Sequence, residues 1–360
     1  MKFSFYIVGG LLVGLLSIQA CSEDRVDQLS PQSSKDLIRS ADLSFLPTIR
    51  KEGTVFYNAQ QQAGDALDIL KAAGCNTVRL RLWHTPVSSS SSLEEVHSFA
   101  NEARAKGLKI WIVIHYSDTW ADPGNQEKPA AWMNASATVL GDSVYNYTKR
   151  VVKLLNPEYV QLGNEINGGL LWPEGRISNL ANFSLYLKRG AAAVRESSTT
   201  TKIILHHAGT EADAFYATVK NQQIDYDIIG LSYYPRWHSK SLTEVSAALD
   251  RLSATNDKDI ILAETAYPFT LGWNDYTNNL VGEASHLLTG YPASPTGQKD
   301  FLMTIRSMME LTPRGLGFSY WEPEWVAYRG TEASDGSPWE NMALFDFNRQ
   351  ALPGIEVFKE

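Results

Sequence analysis

Short apolar runs alternate with helical patterns along most of this sequence, and this alternation constrains the fold more than any other feature. Such a run, bounded by polar or turn-forming residues, has the length of a buried strand, and the apolar residues between runs recur at helical spacing. The strand-like runs are residues 77–83, 109–114, 160–162, 202–205, 227–231, 259–263 and 315–319, with a weaker first run near residues 45–52. The helical patterns cover residues 65–73, 93–106, 139–155, 180–196, 242–254 and 298–311.

Strands that alternate with helices form a parallel sheet. Eight such units predict an α/β fold, a single (β/α)8 TIM barrel with long βα loops. An open, doubly wound sheet is the alternative, but no glycine-rich phosphate loop follows the first strand, and polar residues follow nearly every strand rather than one switch point. The composition does not shift after residue 41, so we predict one domain over residues 41–360.

The first 40 residues lack this alternation. Residues 1–20 start with a positive charge, continue as an apolar run and end in Ile-Gln-Ala before Cys21, which resembles a bacterial lipoprotein signal and implies lipidation of the Cys21 thiol. Residues 21–40, rich in Ser, Gln and Asp, are expected to form a tether, and residues 22–24 resemble the export tags of Bacteroidetes surface lipoproteins. We therefore expect a protein anchored at the bacterial outer membrane, on the cell surface. A plain secretory signal, and with it a secreted or periplasmic protein, is the alternative.

The charge balance and the cysteine count narrow the range of partners. A net charge of −8 without a long basic run argues against nucleic acid and anionic membrane surfaces, because both attract clustered Lys and Arg. If Cys21 is lipidated, only Cys75 remains, so an intrachain disulfide cannot form; Cys75 is expected to be a buried small hydrophobe. We expect a monomer that acts on a small or neutral substrate and meets the membrane only through its lipid.

Two glutamates follow strand-like runs at positions suited to catalysis. Glu165 comes after the fourth run and Glu264 after the seventh, and the carboxyl ends of barrel strands all open on one face. Hydrolysis of a glycosidic bond needs such a pair, since one acid protonates the leaving oxygen while the other attacks or activates water. Asn164 is well placed to bind a sugar hydroxyl. The residues alone leave open which glutamate has which role.

Aromatic and histidine side chains at other strand ends suit the apolar faces of sugars. A zinc site is disfavoured, because His206 and His207 are adjacent in a strand and point to opposite faces. A serine nucleophile elbow is also lacking, which disfavours acyl transfer. The strand-end residues are His115, Tyr233, Trp237, His238, Trp321 and Trp325.

Seven blocks in order resemble glycoside hydrolase family 53, the endo-β-1,4-galactanases. The blocks are residues 78–83, 115–123, 160–169, 230–235, 264–268, 320–323 and 343–347. The resemblance implies a retaining endo-hydrolase of the β-1,4-galactosidic bonds in (arabino)galactan side chains of pectin, with Glu165 as acid/base, Glu264 as nucleophile and no catalytic cofactor. Alternatives are a barrel glycanase for another β-1,4-glycan and a glycan-binding lipoprotein without activity. The resemblance also implies that sugar is bound by Arg79, Arg81, His115, Asp118, Trp120, Asn164, Tyr233, Tyr234 and Trp321.

One feature of the family pattern is missing. Some bacterial members hold a structural calcium ion between the loops after the seventh and eighth strands, using a close Asp/His/Asn cluster. Here these loops offer only Asp275, Asn278, Asp335 and Ser337, whose charge is low for calcium. A structural calcium ion at these four residues is left open.

Overall fold

Eight parallel strands close into a barrel in the computed structural model, which describes residues 36–360. Each strand pairs with its sequence neighbours, and the first pairs with the last, so the sheet has no edge. The strands are β1 (Ile38–Asp42), β2 (Thr77–Leu82), β3 (Lys109–Ile114), β4 (Tyr159–Leu162), β5 (Lys202–Ala208), β6 (Ile228–Tyr233), β7 (Asp259–Thr265) and β8 (Gly315–Trp321). The predicted (β/α)8 barrel is confirmed.

Eight α-helices accompany the strands in the described part of the chain. Several begin at a serine or aspartate whose side chain accepts a hydrogen bond from a backbone N–H of the first turn, as Ser92 does from Glu95 and Ser136 from Val139. No helix among residues 36–360 is long and apolar enough to cross a membrane. The helices are α1 (Leu46–Lys51), α2 (Ala66–Ala72), α3 (Leu93–Ala105), α4 (Ala137–Leu155), α5 (Leu180–Ser197), α6 (Asp213–Asn221), α7 (Leu242–Asn256) and α8 (Pro295–Leu311).

The first strand was predicted at the wrong place. Residues 46–51 form α1, whereas β1 spans Ile38–Asp42 and is inserted between β2 and β8. The last three residues of the predicted tether, 38–40, therefore belong to the barrel, and the domain begins before residue 41. The short helix α6 also went unpredicted. The signal segment, Cys21 and most of the tether lie outside the described residues.

Two apolar clusters hold the barrel together. The larger lies between strands and helices, and the smaller draws only on strand residues of β1, β3, β5, β6 and β7, which places it inside the barrel. Trp111 of this inner cluster lies beneath the Arg79 guanidinium, with 5.4 Å between the guanidinium carbon and the ring centroid. The inner cluster therefore forms an apolar floor below the polar residues at the carboxyl ends of the strands.

Candidate active site

A cleft of about 490 Å3 opens at the carboxyl ends of the barrel strands. It brings together both predicted glutamates and most of the predicted sugar-binding residues, although these come from six different strands or the loops that follow them. The predicted residues that line it are Glu165, Glu264, Arg79, Arg81, His115, Trp120, Asn164, Tyr234, Trp237, His238 and Trp321.

Glu165 lies at a sharp turn directly after β4. Its φ is +46°, and Gly163 two residues earlier has a φ of +80°, a conformation that side chains with a Cβ rarely adopt. The Ser232 hydroxyl donates a hydrogen bond of 2.5 Å to Oε1 of Glu165. Burial raises the pKa of Glu165 to about 8, the negative charge of Glu264 adds to this rise, and the Ser232 hydrogen bond opposes it. Glu165 is therefore largely protonated at neutral pH.

Glu264 occupies a different environment within β7. Its Oε1 accepts a hydrogen bond of 2.7 Å from Arg79, and its Oε2 accepts one of 3.1 Å from the Tyr234 hydroxyl. Burial raises the pKa of Glu264, whereas the Arg79 guanidinium pulls that pKa down. Because Glu165 has no direct cationic partner among the described residues, Glu264 is the carboxyl group that ionises first.

Arg79 connects the two halves of the site. Besides Glu264, this fully buried guanidinium donates to Asp42 at 2.6 Å, Asn164 at 3.1 Å and Gln161 at 3.3 Å. A guanidinium stays charged and can only donate, so the oxygen of each amide must face Arg79. The Nδ2 group of Asn164 accordingly donates to the Ala121 carbonyl oxygen and keeps a second N–H for a ligand.

Indole rings form the walls of the cleft. Trp120 covers the Arg81 guanidinium at 4.1 Å, and Arg81 is tied to Ser91 through its Nε. Trp237 stacks parallel to Trp339, with 2° between the ring planes and 6.3 Å between centroids. Apolar ring faces beside charged and amide groups match a sugar, which has apolar C–H faces and hydroxyl edges.

The histidines of the cleft are neutral. Burial, reinforced by the charges of Arg81 and Arg79, lowers the pKa of His115 well below its ordinary value. Burial lowers the pKa of His238 to about 4. Each ring accepts a backbone N–H at Nδ1, His115 from Ala121 and His238 from Tyr234. Both therefore position the loops at the cleft and can offer their Nε2–H to a ligand.

Two predicted sugar-binding residues, and one of the strand-end aromatic residues, are placed elsewhere. Tyr233 is fully buried, its hydroxyl donates to the Ser239 carbonyl oxygen and its ring packs on Phe301 of α8, because successive strand residues face opposite sides and Tyr234 takes the cleft side. Asp118 does not line the cleft, since its carboxylate accepts backbone N–H groups of Thr85 and Ala130 and so supports the loop. Trp325 is buried and stacks on Phe45.

The four residues considered for calcium have other partners or face solvent. The carboxylate of Asp275 accepts the backbone N–H groups of Thr277 and Ser337, Asp335 pairs with Arg329, and Asn278 is exposed. The Ser337 hydroxyl donates to a carbonyl oxygen. Between residues 36 and 360 no group of three or more His, Cys, Asp or Glu side chains is arranged to hold a metal ion. These residues do not fit together as an ion cage.

Several residues of the site escaped the sequence analysis. Asp42 belongs to the strand that was predicted at the wrong place. Gln161 and Ser232 lie in the blocks 160–169 and 230–235 that carry the family resemblance, but no role was predicted for either. Trp339 follows β8 by 18 residues and returns to the cleft, donating from Nε1 to the Trp321 carbonyl oxygen. Only the position of Ser232, one residue before Tyr233, carried a usable signal, because its side chain must point opposite to the buried tyrosine.

Two carboxyl groups of unequal acidity in an aromatic-lined cleft of a (β/α)8 barrel define a glycoside hydrolase. The model of glycosyl hydrolase family 53 matches residues 38–358, and the chain belongs to this family. An arabinogalactan endo-β-1,4-galactanase of Cellvibrio japonicus (strain Ueda107) is 36% identical over 339 residues, covering 89% of each chain. An endo-β-1,4-galactanase of Bacillus subtilis (strain 168) is 30% identical, covering 91% of this chain and 86% of its own.

A solved structure agrees with this assignment. The family 53 catalytic domain of Ignisphaera aggregans is similar to this chain with a TM-score of 0.85 and 38% identity. The match covers 90% of this chain and 95% of that domain.

Proposed function

We propose that this protein is an endo-acting, retaining hydrolase of β-1,4-galactosidic bonds in the (arabino)galactan side chains of pectin. The observation that carries the proposal is the pair Glu165 and Glu264, which line one cleft with different partners. The substrate follows from the relatives, since the similar proteins of Cellvibrio japonicus and Bacillus subtilis are named as endo-β-1,4-galactanases.

The first step of the reaction forms a covalent intermediate. The Glu264 carboxylate attacks the anomeric carbon, the glycosidic bond breaks, and Glu165 gives its proton to the leaving oxygen. Arg79 at 2.7 Å and the Tyr234 hydroxyl keep Glu264 ionised and oriented for this attack. The raised pKa of Glu165 supplies the proton at neutral pH.

The second step returns the enzyme to its starting state. Glu165, now ionised, takes a proton from water, and the oxygen of that water displaces Glu264 from the anomeric carbon. Two inversions give net retention. The free Nδ2–H of Asn164 is placed to bind the hydroxyl next to the reacting carbon, a contact that strengthens at the transition state. Both steps use only side chains and water, so the reaction requires no cofactor.

Digestion of β-1,4-galactan, followed in time by product size, tests the substrate and the mode of attack. Endo attack predicts mid-length oligomers early, whereas dimers alone from the start indicate exo attack. A parallel panel of β-1,4-mannan and xylan tests the alternative substrates, and a lack of soluble product from galactan refutes the proposal.

Replacement of the nucleophile tests the mechanism. Glu264→Ala is expected to lose at least about 10³-fold in kcat, because no other group can form the covalent intermediate. The matched control is Glu310→Ala, which removes an exposed glutamate of α8 paired with Arg306. Full activity of Glu264→Ala contradicts the mechanism and favours a different pair of groups. NMR of a fresh digest should show the β anomer first.

We also propose that Cys21 carries a lipid that anchors the protein at the outer membrane, on the cell surface. The signal-like residues 1–20 support this. Labelled fatty acid should be incorporated by the wild-type protein and not by Cys21→Ser, and Cys75 does not confuse the assay because it is buried. Protease treatment of intact cells then tests the side of the membrane, since only a surface protein is degraded.

A further inference from the structure

Three buried polar side chains stand in a row behind Glu165. Gln161 of β4, His206 of β5 and Ser232 of β6 are each fully buried, and they are linked by hydrogen bonds that end at the Glu165 carboxyl group. Neither the two-carboxylate mechanism nor the family resemblance assigns a task to them. Their order suggests that the direction of each hydrogen bond matters.

Arg79 sets the orientation of the Gln161 amide group. Its guanidinium donates to Oε1 of Gln161 at 3.3 Å, and since a guanidinium cannot accept, Gln161 must present its amide oxygen to Arg79 and its Nε2 to the other side. There Nε2, which has two hydrogens, lies 2.9 Å from Nδ1 of His206 and 3.0 Å from both the Gly163 carbonyl oxygen and Oδ1 of Asn164. The amide orientation of Gln161 therefore follows from a charge that does not change with pH.

Nδ1 of His206 is faced by two donors and by one acceptor, Oδ1 of Asn164 at 3.1 Å, and the donors set its role. Besides Gln161, the backbone N–H of Glu165 points at Nδ1 over 3.4 Å, and a backbone N–H can only donate. Burial, together with the positive charge of Arg79, lowers the pKa of His206 well below its ordinary value, so the ring is neutral and has one proton. With Nδ1 accepting, that proton is on Nε2.

The tautomer of His206 in turn sets the direction of the Ser232 hydroxyl proton. Nε2 of His206 lies 2.9 Å from the Ser232 oxygen and donates to it, which leaves the hydroxyl proton of Ser232 for Oε1 of Glu165 at 2.5 Å. An oxygen of Glu165 that accepts this bond is not the oxygen that carries the acid proton. The other oxygen, Oε2, has no hydrogen-bond partner within residues 36–360, and Glu165 lines the cleft.

We propose that Gln161, His206 and Ser232 form a one-way hydrogen-bond chain that keeps Oε1 of Glu165 an acceptor and so places the acid proton on Oε2, toward the glycosidic oxygen. Ser232 and His206 are then positioning residues for the acid/base. This inference rests on the proposed function, because it takes Glu165 as the proton donor.

A competing arrangement reverses the chain. In it Oε1 of Glu165 carries the proton and donates to Ser232, Ser232 donates to Nε2 of His206, and Nδ1–H donates to Oδ1 of Asn164 at 3.1 Å. That arrangement turns the acid proton away from the cleft. It also makes the backbone N–H of Glu165 point at the Nδ1–H of His206, so that two donors face each other. The two arrangements differ in the tautomer of His206, which can be measured.

Other charged and titratable groups face this hydrogen-bond chain from neighbouring elements. Around Glu165 these are Glu264, Arg79 and Asp122; around His206 they are Arg79, His207, His115 and His238.

The tautomer is read directly by 15N NMR of the full-length protein labelled at histidine, with His206→Gln used to assign the His206 signals. The proposal predicts one proton, on Nε2, at every pH between about 5 and about 9, because the donors to Nδ1 do not titrate in this range. A proton on Nδ1, or a change of tautomer as Glu165 ionises, overturns it.

Kinetics of Ser232→Ala test the consequence for the acid. With aryl β-galactobiosides, kcat/KM should fall about tenfold for a poor leaving group and less than about twofold for dinitrophenolate, which leaves without acid help. The alkaline limb of kcat/KM should move up by about one pH unit, since a bond that favours the carboxylate is lost. Ser232→Thr keeps the hydroxyl and should restore both.

The control is Ser319→Ala, which changes an equally buried serine of β8 and should leave both readouts unchanged. An equal loss for both leaving groups in Ser232→Ala contradicts the positioning role. If the wild-type enzyme has no activity on any galactoside, the proposed function is refuted instead. The NMR result still decides the direction of the hydrogen-bond chain.

Discussion

Replacing Glu264 with glutamine should lower the pKa of Glu165. The negative charge of Glu264 is one of the causes that hold this pKa at about 8. Retaining enzymes separate their two carboxyl groups by about 5–5.5 Å, and at an effective dielectric constant of about 20 two unit charges at that distance interact by about 3 kcal/mol. Since one pH unit corresponds to 1.36 kcal/mol, removing the charge should lower the pKa of Glu165 by about two pH units.

The loss of a partner for Arg79 also favours a lower pKa of Glu165. In Glu264→Gln the guanidinium loses its carboxylate partner at 2.7 Å, and its positive charge then acts on Glu165 with less compensation. The same loss of negative charge occurs when Glu264 becomes an ester in the covalent intermediate. The predicted fall is therefore a measure of how Glu165 changes from acid in the first step to base in the second.

The pKa can be followed by 13C NMR of the glutamate carboxyl carbons in the wild-type protein and in Glu264→Gln, with Glu165→Gln used to assign the signal. Asp122→Asn serves as a graded control, because Asp122 is a weaker cause of the raised pKa and its removal should lower the pKa by less. An unchanged or higher pKa in Glu264→Gln refutes the argument that the two carboxyl groups interact across the cleft.

Four further results are expected. Asp42→Ala leaves the buried Arg79 guanidinium without its 2.6 Å partner and should lower the free energy of unfolding by about 3–5 kcal/mol in urea titrations; a loss below about 1 kcal/mol speaks against the role of this pair. Trp237→Ala removes a ring that is 47% exposed, so KM for galactan should rise several-fold with an unchanged melting temperature. Gly163→Ala should destabilise the fold by at least about 1 kcal/mol, because φ is +80° and the new Cβ would lie 2.5 Å from a neighbouring side chain; an equally stable variant contradicts this. Glu165→Gln should raise the melting temperature increasingly from about pH 4.5 to about pH 8, since in this window native Glu165 keeps a proton that the unfolded chain has lost, and wild-type stability falls as pH rises; a difference independent of pH refutes the raised pKa.

The predicted elements differed in how well they were placed. Long, strongly patterned segments such as β3 and α5 were predicted at or within one residue of their observed bounds, because apolar periodicity is a local property. The prediction of the first strand failed because residues 38–42 contain Arg, Ser and Asp, which are polar yet buried. Asp42 is paired with Arg79 of β2, and the Arg39 guanidinium donates to the Gly74 carbonyl oxygen and to Glu360. A local sequence pattern does not identify a polar strand whose side chains are paired with residues distant in sequence.

The sequence by itself determined the barrel, the two glutamates and the cleft residues that follow strand ends, because a parallel barrel places all those ends on one face whatever the details of packing. Only the tertiary structure decided which of them act together. The partners of Arg79 come from β1, β4 and β7 and from the turn after β4. Which residue of the Tyr233–Tyr234 pair faces the cleft depends on where β6 ends. The order of Gln161, His206 and Ser232 exists only across three adjacent strands. These are contacts between residues distant in sequence. The directions of their hydrogen bonds depend on burial and on the fixed charge of Arg79, and a local sequence motif specifies neither.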